Sequence, residues 1–599
     1  MSKPVNGVSR RSFTQGLLGA ALGAQFIPGC AGPTATRIFN DPLNSKAPIQ
    51  LEIARQRIQI AGSVASATTI NGGVPGPEIR LQEGREAVIR VTNRMDEPTS
   101  IHWHGMLVPP SMDGVPGISF DGIAPGETFE YRIPVRQNGT YWYHSHSGFQ
   151  EQTGVIGALI VDKAGPESEP YDREFTILLS DWTFENPETI SSNLKKYGGY
   201  YNFQRTTLSD LGSGKQGFWA DLSSRMDWAA MRMESTDIAD VTGATYTYLM
   251  NGHSPLENWH GVFAKGERIR LRFINASAAT YFDVRIPGLE MSVIYADGQA
   301  VSPVMTDEFR LAIAETLDVI VTPTKNAYSI FAETMDRSGY ALGTLATSES
   351  AVAPIPARRA RATLSVVDMG MKMEGMDMTG TEGMDMSGME GMDMKGMEGM
   401  HMMHGMKMGP MKHQNPKECA DDSKTVFVHD DNTHGAGNSM VAEEATSRFN
   451  DPGVGLRDAK WRVLKYSDLR RSLPGKMPRE PDKIIELHLT GNMERYMWSF
   501  DGVQYDPDMP DIVVRRGQRV RIVLINDSMM AHPIHLHGMF FELEVGACDR
   551  NPLKHTVSVN PAERIAFAFD AEEVGRWAFH CHILYHMEAG MFRVLQVKS

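Results

Sequence analysis

Four histidine clusters hold most of the chemistry this chain could do. They are His102-Trp103-His104-Gly105, His144-Ser145-His146, His532-Pro533-Ile534-His535-Leu536-His537-Gly538, and the run from His580-Cys581-His582 through Tyr585-His586 to Met591. Residues two apart on a strand share a face, so each His-X-His pair presents two imidazoles to one side while Cys581 projects to the other. Imidazole suits Cu, Zn, Fe and Ni, whereas one thiolate with two histidines and a methionine selects copper electron transfer. Cys581, His532 and His586, with Met591 as a weak axial donor, make such a set. His580 and His582 then reach a second metal group behind it, and the covalent route from thiolate to imidazole crosses a single strand.

Positioning those clusters requires strands. Past about residue 48 the chain alternates apolar and polar residues between Gly, Pro and Asn turns, with few helical stretches. One unit recurs three times: Gly84 to Asn93, Gly266 to Asn275 and Gly517 to Asn526, each with the Gly and Asn nine residues apart. Three matches in register imply internal repeats, and the architecture expected is all-β, with three tandem β-sandwich or Greek-key domains. Nine and eleven residues beyond the Asn lie His102 and His104 in the first copy, and His535 and His537 in the third. The second copy has Val284 and Ile286 there. Pro125 to Gly139 and Pro561 to Gly575 also match, each followed five residues later by a His-X-His pair. The outer domains thus carry matched histidine sets, and the middle one reads as a spacer holding them face to face. Ser145 occupies the register of Cys581 and Thr99 that of His532, so only the third domain can hold a thiolate metal.

Composition narrows the class. Across 599 residues, 59 basic against 73 acidic side chains leave a net charge of −14, which argues against a nucleic-acid binder. Four cysteines cannot staple a chain of this length, so large cores must hold it; Cys419 and Cys548 could pair in an oxidising compartment or stay as inert thiols. Arg10-Arg11 ahead of the apolar stretch Leu17 to Ile27 looks like a twin-arginine export signal, about half the ~20 residues of a membrane span. The mature chain is therefore expected in the periplasm, delivered by the twin-arginine machinery, without a transmembrane segment. Ile27-Pro28-Gly29-Cys30 faintly resembles a lipoprotein box, but Pro28 fits it poorly and lipid anchoring at Cys30 is not expected.

These motifs resemble the multicopper oxidases, over nearly the whole chain after the signal. The resemblance implies three cupredoxin-like domains and four copper ions. It assigns type 2 copper to His102 and His535, and the type 3 pair to His104, His144, His146, His537, His580 and His582. It assigns type 1 copper to His532, Cys581, His586 and axial Met591. Asp113, nine residues beyond His104, resembles the family acid that assists proton delivery, its bland alternative being a solvated turn residue before Gly114. Glu588 could shape the type 1 entrance or be a plain surface charge.

Met369 to Met411 holds 17 of the 38 methionines. Glu-Gly-Met-Asp-Met starts at Glu374, Glu382 and Glu390, and a variant with His401 starts at Glu398, a strict eight-residue period. Glycines at that density disfavour a helix by roughly 1 kcal/mol each, so the segment reads as a flexible, acidic arm. Thioethers favour Cu(I), making Met376, Met378, Met384, Met386, Met392, Met394, Met400 and Met402 candidates for labile copper capture. Met529 and Met530 are either a nearer docking point or core residues. The arm, with Met493-Glu494-Arg495-Tyr496-Met497-Trp498-Ser499-Phe500-Asp501-Gly502, resembles the periplasmic copper-resistance oxidases of the CopA/PcoA type. That resemblance implies oxidation of Cu(I) to Cu(II) with O2 as acceptor, and phenol oxidation at the same site. A laccase for phenols and a copper-sequestering binding protein are the competing readings. The expected organisation is signal 1–35, first domain 48–165, second domain 173–365, methionine arm 366–415, connector 416–460 and third domain 461–599.

Overall fold

Each Gly-to-Asn unit folds into the central strand of one sheet. In the computed structural model these are Glu86–Asn93, Ile269–Asn275 and Arg519–Asp527. Each is preceded by its glycine at a φ of +81°, +84° and +83°, a backbone region that side chains with a Cβ rarely adopt. Each runs parallel to the opening strand of its domain, respectively Ile49–Ile60, Arg173–Thr183 and Lys483–Asn492. Each also runs antiparallel to a third strand, Thr128–Pro134, Thr316–Val321 or Arg564–Asp570.

The closing asparagine does the same work in all three copies. Asn93 Nδ2 donates to the carbonyls of Glu97 and Ile123, both at 2.8 Å, while its Oδ1 accepts from Met95 N–H. Asn275 ties Thr280, Leu311 and Ser277 in the same way, and Asn526 ties Met530, Val559 and Ser528. All three are fully buried. The repeat is therefore a hydrogen-bonded staple that sets where the chain goes after the central strand, which in the outer two sandwiches is toward the histidines.

The structure describes residues 37–39, 47–205, 228, 233–365, 367–370, 427–428, 437–476 and 479–599; the export signal, Cys30, Cys419 and the methionine repeats lie outside them. Six sheets make three sandwiches, of five and four strands, then six and five, then six and five, beside a two-stranded ribbon. The first sandwich has its own core around Trp103, Tyr131 and Tyr143, whereas the cores of the second and third merge through Tyr281, Met529, Met530 and Ala531. A short helix, Pro187–Lys196, is capped by Asn186 and buries Ile190 and Leu194 against the second sandwich.

The two register glycines ahead of the His-X-His pairs mark close approaches between domains. A Cβ on Gly139 would fall 2.3 Å from Gly298 O in the second sandwich, and one on Gly575 would fall 2.4 Å from Pro110 Cγ in the first. Polar clasps reinforce these seams: Thr140 Oγ1 donates to Asp318 Oδ2 and accepts from Arg272, and Arg136 pairs with Glu573. The part of the connector from residue 437 is packed rather than free. Met440, Ala442, Ala445, Phe449 and Leu456 are buried, Ala442 and Ala445 against Val523, Ile525, Ala562 and Ala566. These apolar residues are spaced among polar ones, so composition alone reads the stretch as a linker. Cys548 is held in a disulfide.

Asn275→Ala tests the staple in the domain without histidine clusters. It strands two buried carbonyls and one N–H, so a loss of about 2–4 kcal/mol is expected, read as a lower thermal midpoint of the copper-free protein. An unchanged midpoint would show that the staple is dispensable.

Candidate metal centre

Cys581 ends the strand Gly575–Cys581 and faces away from His580 and His582. Its Sγ lies 3.6 Å from His532 Nδ1 and 3.8 Å from His586 Nδ1, which are themselves 3.1 Å apart. One ion with bonds of about 2.0–2.3 Å fills a triangle of that size. The outer nitrogens of both rings are occupied: His532 Nε2 meets Ser528 Oγ at 2.6 Å, and His586 Nε2 donates to Asp240 Oδ2 at 2.8 Å. Both Nδ1 lone pairs are thereby turned toward the sulfur. Burial pushes the thiol far above its ordinary pKa, so metal binding must displace its proton. Met591 is buried, and its backbone donates to His586 O and accepts from Cys581 N–H. Trp498 stacks on His586 at 3.8 Å, and Tyr496 donates its hydroxyl to Asp240. Glu588 is exposed at the end of the helix Leu584–Glu588.

On the opposite face, cross-strand pairing brings His102 beside His144 in the first sandwich and His535 beside His580 in the third. The ligating atoms of His104, His144 and His582 lie within 4.8 Å of one another, as do those of His146, His537 and His580, and those of His102, His535 and His537. All eight predicted histidines meet at one seam, four from each outer sandwich. The Nε2 atoms of His102, His144, His146, His535 and His582 are buried with no hydrogen-bond partner, as are both ring nitrogens of His104. Such orphaned nitrogens are what a metal cluster satisfies. Burial, as the largest cause, depresses His104, His144, His146, His535, His537 and His582 well below the usual histidine range and His580 to about 4. The rings are thus neutral, which is the ligating form.

The far nitrogens anchor the rings. His535 Nδ1 donates to His555 O at 2.7 Å, His144 Nδ1 to Glu151 Oε2 at 2.6 Å and His580 Nδ1 to Cys581 O at 2.9 Å. Asp113 holds two at once, its carbonyl taking His102 Nδ1–H at 2.7 Å and its Oδ2 taking His537 Nδ1–H at 2.9 Å. It is fully buried, so the solvated-turn alternative does not hold. Gly114 makes this possible, because a Cβ there would sit 1.8 Å from Ile101 O.

In the first sandwich the thiolate register is filled by a polar knot. Thr99 Oγ1 and Ser145 Oγ both donate to Gln150 Oε1, and Gln150 lies five residues past Ser145 as His586 lies past Cys581. The same three positions therefore hold a hydrogen-bonded trio in one domain and a sulfur-nitrogen triangle in the other. Asp240, Ser528, Glu151, Trp498 and His555 carry no spacing signal as site residues; they arrive by tertiary contact. Of these, Trp498 alone falls within a motif the sequence singles out.

Sequence models described as multicopper oxidase match residues 52–165, 173–350 and 478–599. The chain belongs to the multicopper oxidase family. It is similar to the copper resistance protein A homolog of Pseudomonas syringae pv. tomato, 48% identical with 99% of each chain covered. It is also similar to copper resistance protein A of Escherichia coli, 47% identical with 99% of each covered. Among solved structures, the laccase of Botrytis aclada aligns with a TM-score of 0.58 at 20% identity, covering 94% of this chain and 88% of that one, which bears on the fold. As a multicopper oxidase the protein is an oxygen-using oxidoreductase with type 1, type 2 and type 3 copper, and its sandwiches are cupredoxin-like.

Two substitutions separate the faces of this multicopper oxidase. Cys581→Ser is expected to abolish the intense blue absorption and oxygen uptake while copper still fills the seam; a blue, active variant would refute the thiolate triangle. Asp113→Ala frees His102 and His537 and should lower seam-copper affinity or oxidase rate about 10–100-fold, with the blue band unchanged.

Proposed function

We propose that this chain is an exported cuprous oxidase of copper resistance, taking single electrons from Cu(I) beside His586 and using them to reduce O2 to water. The names of the two relatives above support the resistance role. In this reading His532, Cys581 and His586, with axial Met591, hold type 1 copper, and His102 and His535 hold type 2. His104, His144, His146, His537, His580 and His582 hold the type 3 pair. When bound, the coppers supply storage for four one-electron steps, so that dioxygen is reduced fully. Cys581 joins the two faces through its own backbone, and Asp113 fixes one ring from each outer sandwich.

The observation that carries the substrate is a carboxylate-thioether wall next to His586. Asp240, Asp336, Met335 and Met530 line one buried cavity. Asp240 Oδ1 and Asp336 Oδ2 are buried without partners, leaving two carboxylate oxygens suited to a cation, and the thioethers are soft donors that prefer Cu(I). The other oxygen of Asp240 accepts from His586 Nε2, so one carboxylate spans cavity and triangle. Met335 also lines an adjoining cavity with Met529 and Asp368, and Asp368 directly precedes Met369 and the methionine repeats. This geometry supports handover of Cu(I) from the arm to the cavity. It disfavours the phenol reading, because a phenol needs an open edge at His586, which is 0% exposed with its outer nitrogen taken. Complete donor sets disfavour pure sequestration.

Arg10-Arg11 supports twin-arginine export to the periplasm. Among the described residues no helix is long and apolar enough to cross a membrane.

Met335→Leu combined with Met530→Leu removes both sulfurs at nearly constant volume. The KM for Cu(I) should rise about tenfold or more, equivalent to ~1.4 kcal/mol of binding, with the blue band retained. An unchanged KM would remove the cavity from the reaction. Deleting residues 374–411 should weaken turnover chiefly at low Cu(I), and equal rates at all concentrations would leave the arm without a catalytic part.

A further inference from the structure

The two cavities that meet at Met335 differ in what they offer a cation. The inner one presents Asp240 and Asp336, each with a carboxylate oxygen buried and unpartnered, and among the described residues no basic side chain lines it. The outer one holds a single carboxylate, Asp368, beside two guanidinium groups, Arg448 and Arg457. Ile238, Met335 and Ala531 line both cavities, and Asp368 directly precedes Met369, so the outer cavity is the approach from the methionine arm.

Asp368 is buried, and both of its oxygens are already taken. Its Oδ2 accepts from the backbone N–H of Ser365 at 2.9 Å and from the Ser365 hydroxyl at 2.8 Å. Its Oδ1 pairs with Arg457 Nη2 at 2.6 Å and lies 3.7 Å from Arg448 Nη1. Burial would raise this carboxyl, but the bonds from Arg457 and Ser365 hold it below the usual carboxylate range. Arg457 is fixed in turn by Asp451, whose two oxygens take its Nε–H at 3.0 and 3.1 Å. Arg448 donates Nη2–H to Pro561 O, while its Nε is buried without a partner. Two guanidinium groups against Asp368 and Asp451 leave no net negative charge to draw in a dication. Such an ion is also repelled by each guanidinium twice as strongly as a monovalent one. The soft donors left to a cation here are the thioethers of Met335 and Met529, which suit Cu(I). Zn(II) accepts carboxylate oxygen, and the one carboxylate of this cavity is closed to it.

We infer that Arg457 is a specificity-determining residue: by holding Asp368 it withdraws the outer carboxylate from coordination, so that a soft monovalent ion passes and a carboxylate-seeking dication does not. The inference rests on the Cu(I) route proposed above. Its test is oxygen uptake by the copper-loaded enzyme during Cu(I) oxidation, with Ag(I) or Zn(II) added as a competitor. In the parent protein Ag(I) should compete, and Zn(II) should inhibit only weakly. Arg457→Gln frees Asp368 Oδ1, so the inhibition constant for Zn(II) should fall about tenfold or more, with that for Ag(I) nearly unchanged. Adding Asp368→Asn to that variant should restore tolerance of Zn(II), and Arg457→Lys, which keeps a cation on Asp368, should retain it. Equal Zn(II) inhibition of the parent and Arg457→Gln, with Ag(I) still competing, would overturn the clamp and leave the route standing. A double variant as sensitive to Zn(II) as Arg457→Gln would do the same. Ag(I) without effect on the parent would overturn the route and the clamp together. The parent decides the matter even if no variant folds, since Zn(II) inhibition as strong as that by Ag(I) would overturn the inference.

Discussion

Burying a ring nitrogen with no hydrogen-bond partner costs about 1–3 kcal/mol, and the seam between the outer sandwiches carries such nitrogens on His102, His104, His144, His146, His535, His555 and His582. No neighbouring donor or acceptor meets them. They stay in place because each ring is part of, or abuts, a paired strand, and because most are anchored by the opposite nitrogen. The copper-free protein therefore carries a localised penalty that metal ions relieve, so copper affinity and folding stability are linked at this seam. Burial keeps His104, His144, His146, His535, His537, His580 and His582 neutral, so these rings need lose no proton to bind an ion. Cys581 is the exception, as burial raises its thiol and any metal bound there would have to displace the proton.

A threefold repeat supplies the skeleton on which that seam is built. The glycine entry, the central strand and the asparagine staple are the same in all three sandwiches, and only the residues that follow the staple differ. After Asn526 come Ser528 and His532, which orient the sulfur-nitrogen triangle. After Asn93 comes Thr99, locked to Gln150 in a knot without metal donors of comparable strength. After Asn275 the register holds buried Val284 and Ile286. Chemistry has diverged while the geometry that delivers side chains to the seam has not, because changing the staple would move every residue after it. The middle sandwich does more than hold the outer two apart. Its Asp240 orients His586, and its Asp297 accepts from the backbone N–H groups of His555 and Thr556 beside His535.

The sandwiches and the eight seam histidines are legible in the sequence because both follow from fixed intervals along one chain. A period of two places imidazoles on one face, and nine residues separate glycine from asparagine whatever lies between. Asp240, Glu151 and His555 obey no interval with the groups they touch: Asp240 is 346 residues from His586, and Glu151 meets His144 across a turn. Their placement is set by how sandwiches dock, and docking is decided by features such as Gly139 against Gly298 and Gly575 against Pro110. Those glycines are visible as register marks, but only the assembled seams give the reason for them. The stretch from residue 437 misleads for a related reason, since its apolar residues are sparse and their partners lie in other segments.

Docking is also what turns a strand into a connection between two sites. Cys581 Sγ reaches the imidazoles behind it through its own backbone, and His580 Nδ1–H donates to Cys581 O at 2.9 Å, adding a hydrogen-bonded shortcut to the covalent route. Both paths stay short only while His580 remains aimed across the seam. Its ring nitrogen lies 3.0 Å from that of His537, whose other nitrogen is held by Asp113 of the first sandwich. The orientation of a ring next to the cysteine is thus fixed from another domain. A displacement of the first sandwich by a fraction of a bond length would move Asp113, then His537, then the contact with His580. Rigid seams are accordingly a condition for coupling the two faces, which is why bulk is excluded at Gly114, Gly139 and Gly575 rather than in the sandwich cores alone.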